Sequence, residues 1–163
     1  MTHTELCKKT AERFVKSMAI YESTFSICEK PDVLNFDSSG FTQLFEIKMS
    51  RSDFLADKKK YAREHPHFGN ERYFVCYGDF IKADEIPYGW GLYHYKNNKF
   101  YKIKDSIQFV QKWNNFEEGL NSEKSKEVSD IYRYATAILV NNILCKKTNV
   151  VFSKRVLEYR NKL

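Results

Sequence analysis

The stretch from Pro31 to Lys48, PDVLNFDSSGFTQLFEIK, leaves this chain few ways to fold. Two apolar, β-prone runs, residues 33–36 and 41–47, flank Asp37-Ser38-Ser39-Gly40. Such runs on either side of turn residues make a hairpin. Three-residue hairpin loops usually hold glycine in the left-handed conformation and form a bulge. With Ser38-Ser39-Gly40 as that loop, Asp37 pairs with Phe41, and the same register sets Asp32 opposite Glu46. Side chains alternate along a strand, so Lys48 shares the Glu46 face and Ile47 points the other way. A tight four-residue loop closed by Phe36 and Phe41 would put the two carboxylates on opposite faces. Gly40 favours the bulged form.

Two carboxylates side by side at a strand end are costly unless a cation sits between them. Mg²⁺ takes carboxylate oxygens and keeps several waters for substrate and nucleophile. It polarises a phosphoryl oxygen and lowers the pKa of a bound water. Asp32, Glu46 and Lys48 in one hairpin therefore point to metal-dependent phosphodiester cleavage. Asp37 opens the turn and reads as structural.

Pro31-Asp32, a gap of thirteen residues and then Glu46-Ile47-Lys48 resemble the PD-(D/E)XK nuclease superfamily. The segment that follows, Ser50-Arg51-Ser52-Asp53-Phe54-Leu55-Ala56-Asp57, resembles its MmcB-like branch, which is associated with DNA repair. The resemblance spans roughly Tyr21 to Tyr95. It departs at Cys28-Glu29-Lys30-Pro31, where relatives often carry more arginine before the Asp. It implies an α/β, restriction-endonuclease-like core, a central mixed β-sheet flanked by helices. It also implies Mg²⁺ or Mn²⁺ held by Asp32 and Glu46, with the backbone carbonyl of Ile47 as an extra ligand. Glu22, ten residues before Asp32, is where relatives place a further acidic residue; Glu12 is the alternative. Lys48 would orient or activate the attacking water. The implied activity is hydrolysis of DNA in repair or in phage- or restriction-type processing. The alternatives are a non-catalytic nucleic-acid-binding module of the same fold and an interaction protein with an aromatic docking surface. Nothing in the sequence separates DNA from RNA, and the oligomeric state stays open, a homodimer included.

Composition supports one folded domain. The chain has 163 residues with 42% hydrophobic, 16% aromatic, 3 prolines and 6 glycines, enough to bury a core and too few breakers for disorder. The N-terminus is polar and amphipathic, without a signal-peptide pattern. The longest apolar run, around residues 135–140, is too short to span a membrane. A cytoplasmic protein is expected. Cys7, Cys28, Cys76 and Cys145 are widely spaced, without a CxxC, which reads as reduced thiols and argues against a zinc site. His65-Pro66-His67 reads as loop.

The expected order begins with an amphipathic helix at residues 4–18 and a strand at 23–29, before the hairpin. Ser50 then caps a helix running to about Glu64. The run 72–77 is a buried strand parallel to the hairpin's second strand. Residues 92–96 and 99–103 flank Asn97-Asn98 as a second hairpin. Residues 114–126 read as surface loop, and 123–146 carry the longest helical stripe. The core is residues 1–105, and 106–163 is a helical, basic extension. Net charge is +6. Lysines at 96, 99, 102 and 104 face no acid in that stretch, and the tail from Lys146 carries six cations against Glu158 alone. Such patches are the footprint of phosphate-backbone binding. Lys58, Lys59, Lys96, Lys99, Lys102, Lys154 and Arg155 are the expected DNA contacts, with Tyr95 and Tyr101 stacking on unpaired bases.

Overall fold

The computed structural model of the chain describes residues 1–22, 30–37, 41–57, 69–107 and 149–154. In chain order these form α1 (His3–Phe14), β1 (Met18–Tyr21), β2 (Val33–Phe36), β3 (Thr42–Lys48), α2 (Arg51–Asp57), β4 (Glu71–Tyr77), β5 (Gly91–Lys96), β6 (Lys99–Lys104) and β7 (Asn149–Phe152). The strands make one sheet in the order β6-β5-β4-β3-β2-β1-β7. Its centre, β3-β4-β5, is parallel and its flanks are antiparallel. The protein is thus an α/β fold with a central mixed sheet and helices on both faces. Among the described residues no helix is long and apolar enough to cross a membrane.

The first hairpin has the bulged register. Val33 pairs with Phe45, Asn35 with Gln43 and Phe36 with Thr42. The Asp37 N–H donates to the Phe41 carbonyl at 3.0 Å, and Asp37 Oδ1 accepts from the Phe41 N–H at 3.0 Å. Antiparallel ladders alternate hydrogen-bonded and open pairs. Counting from Asp37–Phe41, the bonded pairs are Asn35–Gln43 and Val33–Phe45, and the next would be Pro31–Ile47. Pro31 has no N–H to give, so the ladder stops at Val33 and the Ile47 peptide faces the end of β2.

The N-terminal elements differ from expectation. Thr2 and Glu5 form a capping box on α1. The helix ends at Phe14 rather than residue 18, because Asn35 intervenes: its amide donates to the Phe14 carbonyl and its oxygen accepts from the Lys16 N–H at 3.1 Å. Met18–Tyr21 then becomes β1, bonded on one side to β2 and on the other to β7. The partner β7 comes from the segment read as a basic extension, so part of that extension belongs to the sheet. The strand expected at 23–29, the loop at 114–126, the helix at 123–146 and the continuation of α2 past Asp57 lie outside the described residues.

The two sheet faces have separate cores. Leu6, Cys7 and Ala11 of α1 pack with Val33, Phe45 and Ile47. Phe54 of α2 packs with Leu44, Phe74 and Trp90 on the other face. Truncating fully buried Phe54 to alanine would cost about 3–5 kcal/mol. Ser50 caps α2 as expected, accepting from the Asp53 N–H at 3.2 Å. The β5–β6 turn places Asn97 at φ +52° and Asn98 at φ +57°, the left-handed pair that a two-residue hairpin requires.

Candidate functional site

Strand alternation sends Leu44, Glu46 and Lys48 to the α2 face and Phe45 and Ile47 to the α1 face. Glu46 and Lys48 are each only 4% exposed. Lys48 Nζ lies 3.6 Å from Glu46 Oε2, 3.2 Å from Asp57 Oδ2 and 3.9 Å from Asp53 Oδ1. Asp53 and Asp57 are one helical turn apart, so α2 aims both at the strand. Three carboxylates thus converge on one ammonium. Asp57 is itself 2% exposed. Its part in the cluster went unread in the sequence, although the i,i+4 spacing from Asp53 was there to find.

Asp32 sits just before β2, at the end where the ladder stops. Its carboxylate takes the place that the Pro31 carbonyl would hold in a continued ladder: the Ile47 N–H donates to Asp32 Oδ2 at 2.8 Å. A strand residue's N–H and C=O open to the same side, so the Ile47 carbonyl also faces this end of β2. On the other flank the Glu22 N–H donates to the Asp32 carbonyl at 2.9 Å. Asp32 therefore stands between Glu22 and, by register, Glu46. The three residues form a row across β1, β2 and β3.

The same carboxylate meets α1. His3 Nε2 lies 3.5 Å from Asp32 Oδ2, and His3 Nδ1 lies 3.3 Å from Glu22 Oε1. The Thr4 hydroxyl donates to Glu22 Oε1 at 2.8 Å, and Cys7 Sγ is 3.5 Å from His3 Nδ1. Hydrogen bonding to Asp32, then to Cys7, pushes the His3 pKa up to about 11. Burial pushes the Cys7 thiol up. Sequence reasoning missed His3, whose only signal is its i,i+4 spacing to Cys7. Of the two third-ligand candidates, Glu22 is the one beside Asp32. Glu12 pairs with Lys8 at 3.9 Å and stands nine residues along α1 from His3, about 13 Å away.

The expected DNA contacts are spread out. Lys96, Lys99 and Lys102 are exposed on the second hairpin, and Lys154 is exposed after β7. Lys58, Lys59 and Arg155 lie outside the described residues. The hairpin is less basic in space than in sequence, because Lys96 meets Asp79 at 3.3 Å and Lys102 meets Asp105 at 2.6 Å. Tyr101 is exposed, with Lys96 Nζ 5.8 Å from its ring. Tyr95 is not placed to stack on bases: it is buried, packs on Phe100 and donates its hydroxyl to Asn98 at 3.1 Å. Lys99 instead borders a groove with Lys9, Glu12, Arg13, Asn98 and Phe100.

Asp32, Glu46 and the Ile47 carbonyl offer oxygen alone, the ligand type that Mg²⁺ and Mn²⁺ prefer; among the described residues, the His, Cys, Asp and Glu side chains whose ligand atoms lie close enough to share an ion are His3, Cys7 and Glu22. No family model matches this chain, and no curated protein matches its sequence. Its fold is similar to a solved structure, the SPO1766 protein of unknown function from Silicibacter pomeroyi, with a TM-score of 0.55 at 15% identity, covering 88% of this chain and 92% of that one. The likeness concerns the fold alone.

Proposed function

We propose that this protein is a Mg²⁺- or Mn²⁺-dependent deoxyribonuclease of the PD-(D/E)XK kind. The observation that carries the reading is Asp32 anchored to the Ile47 peptide, at the strand end that bears buried Glu46 and Lys48. Asp32, Glu46 and the Ile47 carbonyl would hold the ion; the Glu22 carboxylate turns instead to His3 and Thr4 on α1. When bound, the metal would polarise the scissile phosphate and acidify a water. Lys48 supplies a positive charge that offsets charge developing on the phosphate and orients the attacking water. Asp57 and Asp53 fix the position of that ammonium from α2. A role in DNA repair, as in the MmcB-like branch, rests on the resemblance of Ser50–Asp57.

The burial of Glu46 and Lys48 favours a second reading, a nucleic-acid-binding module whose ion cluster holds α2 on the sheet and cuts nothing. One experiment separates the two. Purified protein and its Glu46→Gln variant are incubated with labelled single-stranded, duplex and forked DNA, and with RNA, in Mg²⁺, Mn²⁺ or EDTA. Metal-dependent cleavage by the wild type and not by the variant supports the nuclease. Retention of nucleic acid by both proteins, with no cleavage in any metal, leaves the binding module.

A further inference from the structure

We propose a second metal site, distinct in chemistry from the first, formed by His3 Nδ1, Cys7 Sγ and the Glu22 carboxylate and suited to Zn²⁺. The three ligand atoms lie within 4.8 Å of one another. The separations from His3 Nδ1 are 3.5 Å to sulfur and 3.3 Å to oxygen. Tetrahedral zinc with Zn–N and Zn–O near 2.0 Å and Zn–S near 2.3 Å needs edges of about 3.3 Å and 3.5 Å. One imidazole, one thiolate and one carboxylate form a borderline-soft set that suits zinc over magnesium. Three protein ligands leave a fourth position for water.

Each ligand is placed by a separate feature of the fold. His3 and Cys7 are four residues apart on α1 and so share one of its faces. Cys7 is fully buried, whereas His3 and Glu22 are part-exposed and give an ion access from solvent. By alternation Glu22 should follow Ile20 to the α2 face. Instead it holds φ +46°, a left-handed conformation that residues other than glycine seldom adopt, and its carboxylate reaches His3 and Thr4 on α1. Asp32 completes the arrangement. Its Oδ2 lies 3.5 Å from His3 Nε2, the outer carboxylate that accepts the second ring N–H of a metal-bound histidine and sets its tautomer. Binding would release the Nδ1 proton of His3 and the Cys7 thiol proton, two protons per ion, while Nε2–H stays on Asp32. The ion would tie the first turn of α1 to the end of β1 and hold Asp32 from behind. No CxxC spacing announces such a site, because its ligands come from a helix face and a strand end.

The test uses the full chain, stripped of metal and titrated with Co²⁺ and then Zn²⁺. The expected result is a thiolate-to-cobalt charge-transfer band in the near ultraviolet, abolished by one equivalent of Zn²⁺ and untouched by a large excess of Mg²⁺. The band should vanish in Cys7→Ser and persist in Glu46→Gln, which separates this site from the proposed nuclease centre. Asp32→Asn should weaken Zn²⁺ binding by about 10- to 100-fold, and His3→Gln and Glu22→Gln by at least as much. No band in the wild type, or a band surviving in Cys7→Ser, overturns the proposal. If Cys7→Ser does not fold, the part-exposed His3 decides: unchanged Zn²⁺ affinity in His3→Gln refutes the site.

Discussion

Replacing Lys48 by methionine tests the cluster on β3 most directly. Methionine keeps much of the stem's length and volume and removes the charge. Lys48 Nζ stands 3.2 Å from Asp57 Oδ2 and 3.6 Å from Glu46 Oε2. At an effective dielectric of 20, a pair at 3.2 Å attracts by about 5 kcal/mol before desolvation is counted. Breaking a buried ion pair by deleting one partner costs about 3–5 kcal/mol, because the other charge stays buried. Lys48→Met should therefore lose about 3–5 kcal/mol in urea unfolding, read as a lower midpoint at unchanged slope. Lys48→Met/Asp57→Asn should recover part of that loss, with a coupling energy of about 1–3 kcal/mol between the two sites. The Glu46 carboxylate still loses its contact with Nζ in the double variant, so recovery is incomplete. A Lys48→Met protein within about 0.5 kcal/mol of wild type, the range of ordinary surface changes, would refute the reasoning and return Lys48 to solvent.

Asp32→Asn and Glu46→Gln should each lower metal-dependent DNA cleavage by about 10²-fold or more while keeping wild-type circular dichroism; wild-type rates in either variant would remove that residue from the site. The burial of Glu46 makes the amide the proper substitution, since alanine would also leave a cavity. In the uncleaving Glu46→Gln background, DNA affinity should fall steeply with salt, by a log–log slope of about 0.9 for each phosphate neutralised. Lys99→Gln should flatten that slope more than Lys96→Gln or Lys102→Gln, because those two lysines already face Asp79 and Asp105; equal effects from all three would show that the carboxylates do not compete. Burial pushes the Cys76 thiol up to about 11, so it stays protonated through neutral pH and should resist iodoacetamide at pH 8 until the protein is denatured. Native alkylation of Cys76 at the unfolded rate, followed by peptide mass spectrometry, would contradict its buried place beneath Phe80 and Ile81.

Much of the sheet was legible because its signals are local. Gly40 and the apolar runs around it specify a register that reappears as Val33 opposite Phe45. Asn97-Asn98 specifies the second hairpin, and the apolar run at 72–77 specifies a central parallel strand. Ser50 caps α2 from its position alone. The apolar stripe of α1 continues to Met18, so periodicity extends the helix over the first residue of the strand MAIY and gives no sign of the strand itself. It becomes β1 only when Asn35 caps the helix end and two distant strands bond to its edges.

The sequence by itself determined which residues could meet along one strand and one hairpin: Asp32, Glu46 and Lys48, in a known register. Only the tertiary structure decided what surrounds them. Packing of α2 brings Asp53 and Asp57 onto Lys48 and turns an apparently exposed strand pair into a buried ion cluster. Packing of α1 and the left-handed turn at Glu22 bring His3 and Cys7 to the back of Asp32. Folding likewise set Asp79 and Asp105 against lysines that looked unopposed and buried Tyr95 among other rings. Local periodicity encodes faces and turns within a few residues. Charge neutralisation, burial and metal-ligand geometry depend on which faces meet across the sheet, and that is settled by packing between segments far apart in the chain.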